Sequence, residues 1–395
     1  MSDLQILIYR DRLLPYSETF IPAQAQNYRT YKSIYVGSSL LPEMSLDFRR
    51  DRCVTLDRTV SLAAIWKAIF KLTGYPHPAW IGQLRGCHPG LIHAHFGLDG
   101  VLAMPLARRL KIPLVVTFHG YAATLEPDAD FKERDPFPWR HYFRNRGKFF
   151  RHFYLRRRSQ LFETSPYMVA VSEHIRQKVI AQGCPPEKIH VHYIGVNVQK
   201  FQSQGATARE ETVLFVGRLV EKKGCEYLIE AVADLQQTFP KMKLVVVGDG
   251  PLRSRLKGLA AQKLARYEFV GKQPQEVVRE WMGRAKVLAV PSVTTAQGET
   301  EGLPIVLLEG MAMGLPVVVS RHAGMPEAVV HDRNGLLVEE RDVRGLSESI
   351  ARVLSDSNVW EQFSRAGRSQ VEAKFDLRAN TAMLERAYGE IVAQA

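Results

Sequence analysis

Twelve short apolar runs rich in β-branched residues, with stretches of helical period between them, govern what this chain can fold into. In the first half they are residues 5–10, 33–36, 91–96, 114–120, 168–172 and 189–195. In the second half they are 212–219, 243–250, 267–271, 286–292, 315–320 and 335–340. Strand-sized runs spaced by helix-sized segments are the pattern of parallel βαβ units, because a parallel pair needs a crossover long enough to hold a helix. Two sets of six predict an α/β chain with two doubly wound, Rossmann-like parallel sheets. The length agrees: 395 residues at about 150 per domain leave room for two or three domains. The polar, glycine-containing stretch 196–212 has no apolar period and reads as a linker. It divides an expected domain 1–198 from a second, 199–375, and 376–395 reads as a terminal helix packing back on the first. Two such domains facing across a cleft would bind ligands at the carboxyl ends of their strands.

The four cysteines, Cys53, Cys87, Cys184 and Cys225, form no C-x-x-C pair, so a reducing, cytoplasmic location is expected. The first residues have no apolar core of signal-peptide length, and the greasiest run, 303–320, contains Glu309 and two prolines. A protein without membrane spans, at most peripheral on a membrane, is expected. The formal net charge is +12, and it is uneven: residues 1–195 hold 27 basic and 16 acidic side chains, against 26 and 25 in 196–395. A basic half points to phosphate in some form, whether nucleic acid, anionic lipid or a phosphorylated substrate.

Strand ends in the second half carry groups suited to an anionic ligand. Gly217 and Arg218 lie toward the end of the run 212–219, with Lys222, Lys223 and Gly224 just beyond, opening a helix. Cations beside a helix N-terminus make a diphosphate cradle, and a solvated turn explains the same letters. The run KLVVV leads into Gly248-Asp249-Gly250-Pro251, which lacks the third glycine of the dinucleotide fingerprint and reads equally well as a tight turn. In Glu301-Gly302-Leu303-Pro304-Ile305-Val306-Leu307-Leu308-Glu309, the Gly-Leu-Pro turn opens a helix expected to bury Ile305 to Leu308. The N–H groups of Gly302 and Leu303 are expected to face phosphate. Glu309 then sits on an apolar helix, where an unpaired carboxylate is expensive. A ribose diol would partner it; a structural salt bridge is the alternative.

The Glu-x7-Glu spacing, with GR…KKG and VVVGDGP before it and MGLPVVVS…GMPEAV…NGLLV after it, resembles retaining family 4 glycosyltransferases of GT-B fold. The stretch 290–327 looks most like bacterial exopolysaccharide enzymes of the colanic-acid type. The resemblance implies that Arg218 and Lys223 neutralise a donor diphosphate, that Glu309 holds the ribose, and that Glu301 contacts the transferred sugar. Backbone at Val270, Gly271 and Lys272 would line the base, and Gly217, Gly248, Asp249, Gly302, Leu303 and Ile305 would complete the donor site. It further implies a nucleotide diphosphate sugar as donor, a saccharide acceptor, no cofactor and no metal.

In the first half, LVVTFHG ends in His119-Gly120, and His119 resembles the family's active-site histidine. Many relatives have aspartate where this chain has Ala122, and a glycine pair where it has LPYSETFI. Glu18 and Thr19 are read as cleft residues near sugar hydroxyls, although a helix start capped by Ser17 explains the same letters. His95 is placed in the cleft with them. The H-x-H pair His93 and His95 lacks further ligands for a metal, and Asp128-x-Asp130 imitates a motif of another fold.

Residues 139–158 contain eight Lys or Arg, seven aromatics and no acid. At about 100° per residue the aromatics fall within roughly 140° of arc. Either the aromatic face is buried in its domain, or the helix docks on anionic lipid through Arg140, Arg144, Lys148, Arg151, Arg156 and Arg158. Nucleic-acid binding has no recognised module to support it. The expected function is metal-independent, retaining transfer of a sugar, UDP-linked in preference, to a lipid-linked saccharide. The alternatives are a nucleotide-sugar epimerase and a non-catalytic RNA- or membrane-binding protein.

Overall fold

The computed structural model describes residues 4–13, 18–41, 52–125, 127, 146–202 and 209–395. The chain divides into two compact units, Met1–Ile194 with Arg378–Ala395, and Gly195–Leu377.

The first unit holds seven parallel strands: β1 Gln5–Tyr9, β2 Lys32–Gly37, β3 Cys53–Thr55, β4 Pro89–His95, β5 Leu114–Phe118, β6 Tyr167–Ala170 and β7 Ile189–Val191. Their order in the sheet is β3-β2-β1-β4-β5-β6-β7. Ile6, Leu7, Ile8 and Tyr9 are all fully buried, although they alternate faces, because helices cover both sides of a parallel sheet. The strand order reverses between β1 and β4, so the loops after these strands diverge and leave a crevice at their carboxyl ends. The second unit repeats the plan with six strands: β8 Glu210–Val216, β9 Lys243–Val247, β10 Tyr267–Gly271, β11 Ala285–Val290, β12 Val317–Ser320 and β13 Leu336–Val338. The order is β10-β9-β8-β11-β12-β13, with its reversal between β8 and β11.

The last helix, Leu377–Gln394, belongs to the first unit. Leu384, Tyr388 and Ile391 enter the core beside Ile6 and Ile8. Glu385 accepts the backbone N–H groups of Arg29, Thr30 and Tyr31, and Tyr388 hydrogen-bonds His93.

Some sequence readings are corrected. Residues 196–212 are not a plain linker: Val196 bridges Asp376, and β8 begins at Glu210. The strand expected over 189–195 stops at Val191. Ile305 and Val306 are half-buried, whereas Leu307 and Leu308 are fully buried. The basic aromatic helix spans Arg146–Thr164; Arg140, Arg144 and Trp139 lie outside the described residues, as do Ser17, Asp128 and Asp130. Phe149, Phe153 and Tyr154 are buried. A Cβ on Gly97 would come within 2.8 Å of the Tyr154 ring, so it is the missing side chain that lets this helix seat on Gly97–Leu110. The described part of the aromatic arc is core, and Lys148, Arg151, Arg156 and Arg158 are half-buried along its flanks. No described helix is long and apolar enough to cross a membrane.

Candidate functional site

In the second unit the singled-out residues collect on the carboxyl edge of the sheet. Gly217 and Arg218 follow β8, Gly248 and Asp249 follow β9, and Lys272 follows Val270 and Gly271 at the end of β10. Backbone bonds lace these ends together: Gly217 N–H donates to Val247, Leu219 to Asp249, and Gly248 to Gly271. Gly248 has φ +141°, and a Cβ there would overlap the carbonyl oxygen of Gly217, so the lacing requires glycine. Asp249 serves its own turn, accepting from Gly250 N–H at 2.7 Å and pairing with Arg253 at 3.2 Å.

Lys222 and Lys223 lie in the one-turn 3-10 helix Glu221–Lys223, and Lys222 C=O accepts Val293 N–H from the loop after β11. That bond closes the switch point between β8 and β11. Both lysines turn to Glu301: Lys223 Nζ is 3.1 Å and Lys222 Nζ 3.6 Å from its carboxylate. Burial raises the Glu301 pKa, but Lys223, Lys222 and His322 outweigh it and leave it below the ordinary carboxylate value. Arg218 is exposed and has no ion pair among the described residues. A charge-ready guanidinium therefore stands beside two lysines already committed to a carboxylate.

Gly302 and Leu303 are buried, and Pro304 caps the helix Ile305–Ala312. Gly302 C=O accepts Gly324 N–H. Glu309, one turn into the helix, is buried and, among the described residues, lacks the salt bridge that was the structural alternative. Its Oε1 accepts one hydrogen bond from Gln275 Nε2 at 2.9 Å, and Lys200 holds the other end of that amide at 2.6 Å. Burial pushes the Glu309 carboxyl up to about 7, against the lowering by Gln275 and Lys200.

In the first unit, His119 and Gly120 follow β5, and His95 ends β4. His119 Nε2 and His95 Nδ1 are 3.0 Å apart, and the His119 ring lies between Phe20 and Phe96, with centroids at 4.8 and 4.7 Å. Burial, with Arg10 and the neighbouring histidines, holds both imidazoles well below their ordinary pKa. His119 Nδ1 is buried with no hydrogen-bond partner among the described residues. Glu18 is not free for sugar hydroxyls: Arg10 grips both its oxygens at 2.8 and 2.9 Å and reaches Asp99 at 2.7 Å. Thr19 is exposed at the start of the helix Phe20–Gln26 and makes no capping bond. Ala122 is buried against Gly97, a position without room for a solvated aspartate. His93 is consumed by Tyr388 and Thr117, and no metal-like cluster of His, Cys, Asp or Glu occurs among the described residues.

Sequence reading passed over Arg10, Asp99, Gln275, His322 and Glu340. Three of these follow a strand directly or two residues on, so the rule that placed Arg218 would also have found Arg10, His322 and Glu340.

Two Rossmann-like units in one chain define the GT-B class. Residues 40–200 match the Glycosyltransferase Family 4 model and 197–370 match that of Glycosyl transferases group 1. The chain is 33% identical over 289 residues to the amylovoran biosynthesis glycosyltransferase AmsK of Erwinia amylovora, covering 71% of this chain and 65% of that protein. It is 31% identical over 291 residues to WcaL of Salmonella typhimurium, named for colanic acid biosynthesis, covering 72% and 67%. The chain thus matches about two thirds of these relatives' length. Among solved structures, Anabaena Alr3699/HepE in complex with UDP and glucose superimposes with a TM-score of 0.75 at 18% identity, covering 98% and 99% of the two chains. Sucrose-phosphate synthase from Thermosynechococcus elongatus gives 0.74 at 20% identity, covering 99% and 100%. The chain belongs to the family 4, group 1 glycosyltransferases.

Proposed function

We propose that this chain is a retaining glycosyltransferase that moves a sugar from a nucleotide diphosphate sugar to a lipid-linked saccharide in exopolysaccharide synthesis, without a metal. A UDP-sugar is favoured, since a fold neighbour was crystallised with UDP and glucose. The observation that carries the reading is Glu309: a buried carboxylate with one amide donor and, among the described residues, no ion pair, in the unit whose strand ends also bear Arg218. A ribose diol supplies the hydrogen bonds such a group lacks.

Arg218 and the N–H groups near Gly302 stabilise the departing diphosphate, and Lys223 joins them when the donor draws it from Glu301. The bond from the anomeric carbon to the diphosphate oxygen breaks, and a bond to the acceptor oxygen forms on the same face. The acceptor proton passes to a donor phosphate oxygen. His119, neutral and walled by two aromatic rings, is the first unit's candidate for contact with the sugar.

The test is thermal shift and turnover with UDP-, GDP- and ADP-sugars, run beside Glu309→Ala and Arg218→Ala. Stabilisation of the wild type alone supports the reading; equal response of all three proteins defeats it. Product analysis with and without acceptor separates transfer from epimerisation. Attachment to the cytoplasmic face of an anionic membrane rests on a different helix from the one the sequence pointed to. Leu62, Ile65 and Tyr75, at and beside the helix Ala63–Thr73, are 71%, 55% and 42% exposed. Between Arg52 and Lys111 the chain carries eight Lys or Arg against two Asp.

A further inference from the structure

The segment from Thr294 to Glu301 has neither helix nor strand, so no ladder sets where Glu301 stands. Two side chains from the next strand ends take over that task. Glu301 N–H donates to His322 Nε2 at 3.1 Å, and His322 Nδ1 lies 2.6 Å from Glu340 Oε1. A backbone N–H can only donate, so Nε2 is bare and the single ring proton sits on Nδ1, facing the carboxylate. The other Glu340 oxygen accepts Thr294 N–H at 2.7 Å, and the Thr294 hydroxyl is 3.0 Å from Oε1. Arg341 also donates to the Thr294 carbonyl. Glu340 therefore fastens the start of the segment directly and its end through His322, which is 2% exposed.

We infer that Glu340 and His322 are positioning residues that hold Glu301 in place for the transferred sugar. The inference rests on the proposed role of Glu301, and it adds a reason for the two residues. The Glu301 carboxylate is otherwise held by two long lysine side chains, and a donor diphosphate competes for both. Once they turn to phosphate, the backbone bond to His322 is what keeps Glu301 from drifting with its loop. A displacement near 1 Å at such a group costs up to about 10²-fold in rate.

The experiment uses the full chain. Glutamine places an oxygen where Nε2 lies and can accept from Glu301 N–H; asparagine keeps a donor near Glu340 and cannot reach Glu301. In Glu340→Gln one end of the amide must present N–H to a donor, so the clamp loses one bond in either orientation. The expected result is a drop of ten- to a hundredfold in kcat/KM for the nucleotide sugar in His322→Asn and Glu340→Gln. His322→Gln recovers most of it, and UDP affinity stays within twofold in all three. Equal loss in His322→Asn and His322→Gln, or parallel loss of UDP affinity, overturns the inference. Nitrogen-15 spectra of the imidazole give a readout independent of turnover. They should show His322 protonated on Nδ1 in the wild type, and the Glu301 amide resonance should shift in His322→Asn but much less in His322→Gln. A proton on Nε2 overturns the clamp even if the enzyme is active. A wild type that turns over no nucleotide sugar, with the Nδ1 proton present, instead overturns the proposed function and with it the role given to the clamp.

Discussion

Glu309 and Gln275 share one hydrogen bond, 2.9 Å from amide to carboxylate, and among the described residues Glu309 forms no ion pair. The folded state therefore prefers the protonated acid. Its carboxyl is raised from 4.5 to about 7, so between these values the native chain binds more protons than the unfolded one. This contribution to stability is present below pH 4.5 and lost as pH rises through 7, and it amounts to something on the order of 3 kcal/mol. Glu309→Gln removes the titration. Urea unfolding at pH 5 and pH 8 should show the variant gaining on the wild type at the higher pH, while calorimetry shows weaker donor binding.

Arg10 holds three elements of the first unit together: the end of β1, the first turn of Gly97–Leu110 through Asp99, and the start of Phe20–Gln26 through Glu18. Its guanidinium also lies 4.6 Å from the Phe96 ring, which walls His119. Arg10→Met leaves Asp99 buried without its cation, holding only the Asp11 N–H, and should cost about 3–5 kcal/mol, whereas Arg10→Met with Asp99→Leu should cost less. A double-mutant cycle by denaturant unfolding measures the difference.

Gly248→Ala tests the lacing of the donor-side strand ends. The substitution brings both a φ of +141° and overlap with the Gly217 carbonyl, so backbone must move. A loss of roughly 2–4 kcal/mol is expected, with exchange of the Gly217 and Leu219 amides accelerated far more than that of β13.

The βα alternation was legible because strands buried on both faces read as unbroken apolar runs, and twelve such runs correspond to twelve of the thirteen described strands of the two large sheets. β3 was missed because three residues, Cys53–Thr55, carry no period. The helix Arg146–Thr164 shows the limit of pattern. Its aromatic arc is what a membrane helix and a core helix have in common, and only the opposing Gly97, invisible to periodicity, decides between them. Glu309 stood out as a residue type costly in its setting, and Arg218 as a cation at a strand end. His322 and Glu340 also stand at strand ends, but their task shows only in the hydrogen-bond chain that joins them to Glu301 and Thr294.

The membrane reading now predicts a result at Leu62 and Ile65. Both are exposed, so Leu62→Ser with Ile65→Ser should leave the melting temperature within about 1 °C, as surface changes do. Flotation with vesicles rich in phosphatidylglycerol should fall several-fold. Replacing Arg156, Arg157 and Arg158 by Ser should reduce flotation less while lowering stability more, because their helix is packed into the core and Arg157 lies over the Phe153 ring. The opposite ranking would return membrane docking to the helix Arg146–Thr164.

The first unit should be the acid-labile one. His93 is fully enclosed between Tyr388 and Thr117, and burial, with His192 nearby, lowers it to about 3. His192, bonded to Tyr167, is lowered to about 4 by burial and by His190. Below pH 6.5 the unfolded chain takes up protons that the native one refuses, so stability falls as pH drops toward these values. At pH 5 the loss is about 2 kcal/mol per histidine. Glu309 in the second unit, and Asp99 in the first, act with the opposite sign: burial raises each to about 7, so each gains stability as pH falls. In the first unit the histidines outnumber that one acid. Hydrogen exchange at pH 5 and 7.5 should therefore show β4, β5 and β6 losing protection in acid before β8, β9 and β11. His93→Gln, which keeps a polar partner for Tyr388 but cannot titrate, should flatten the acid limb of the first unit alone; an unchanged limb would assign the lability to other groups.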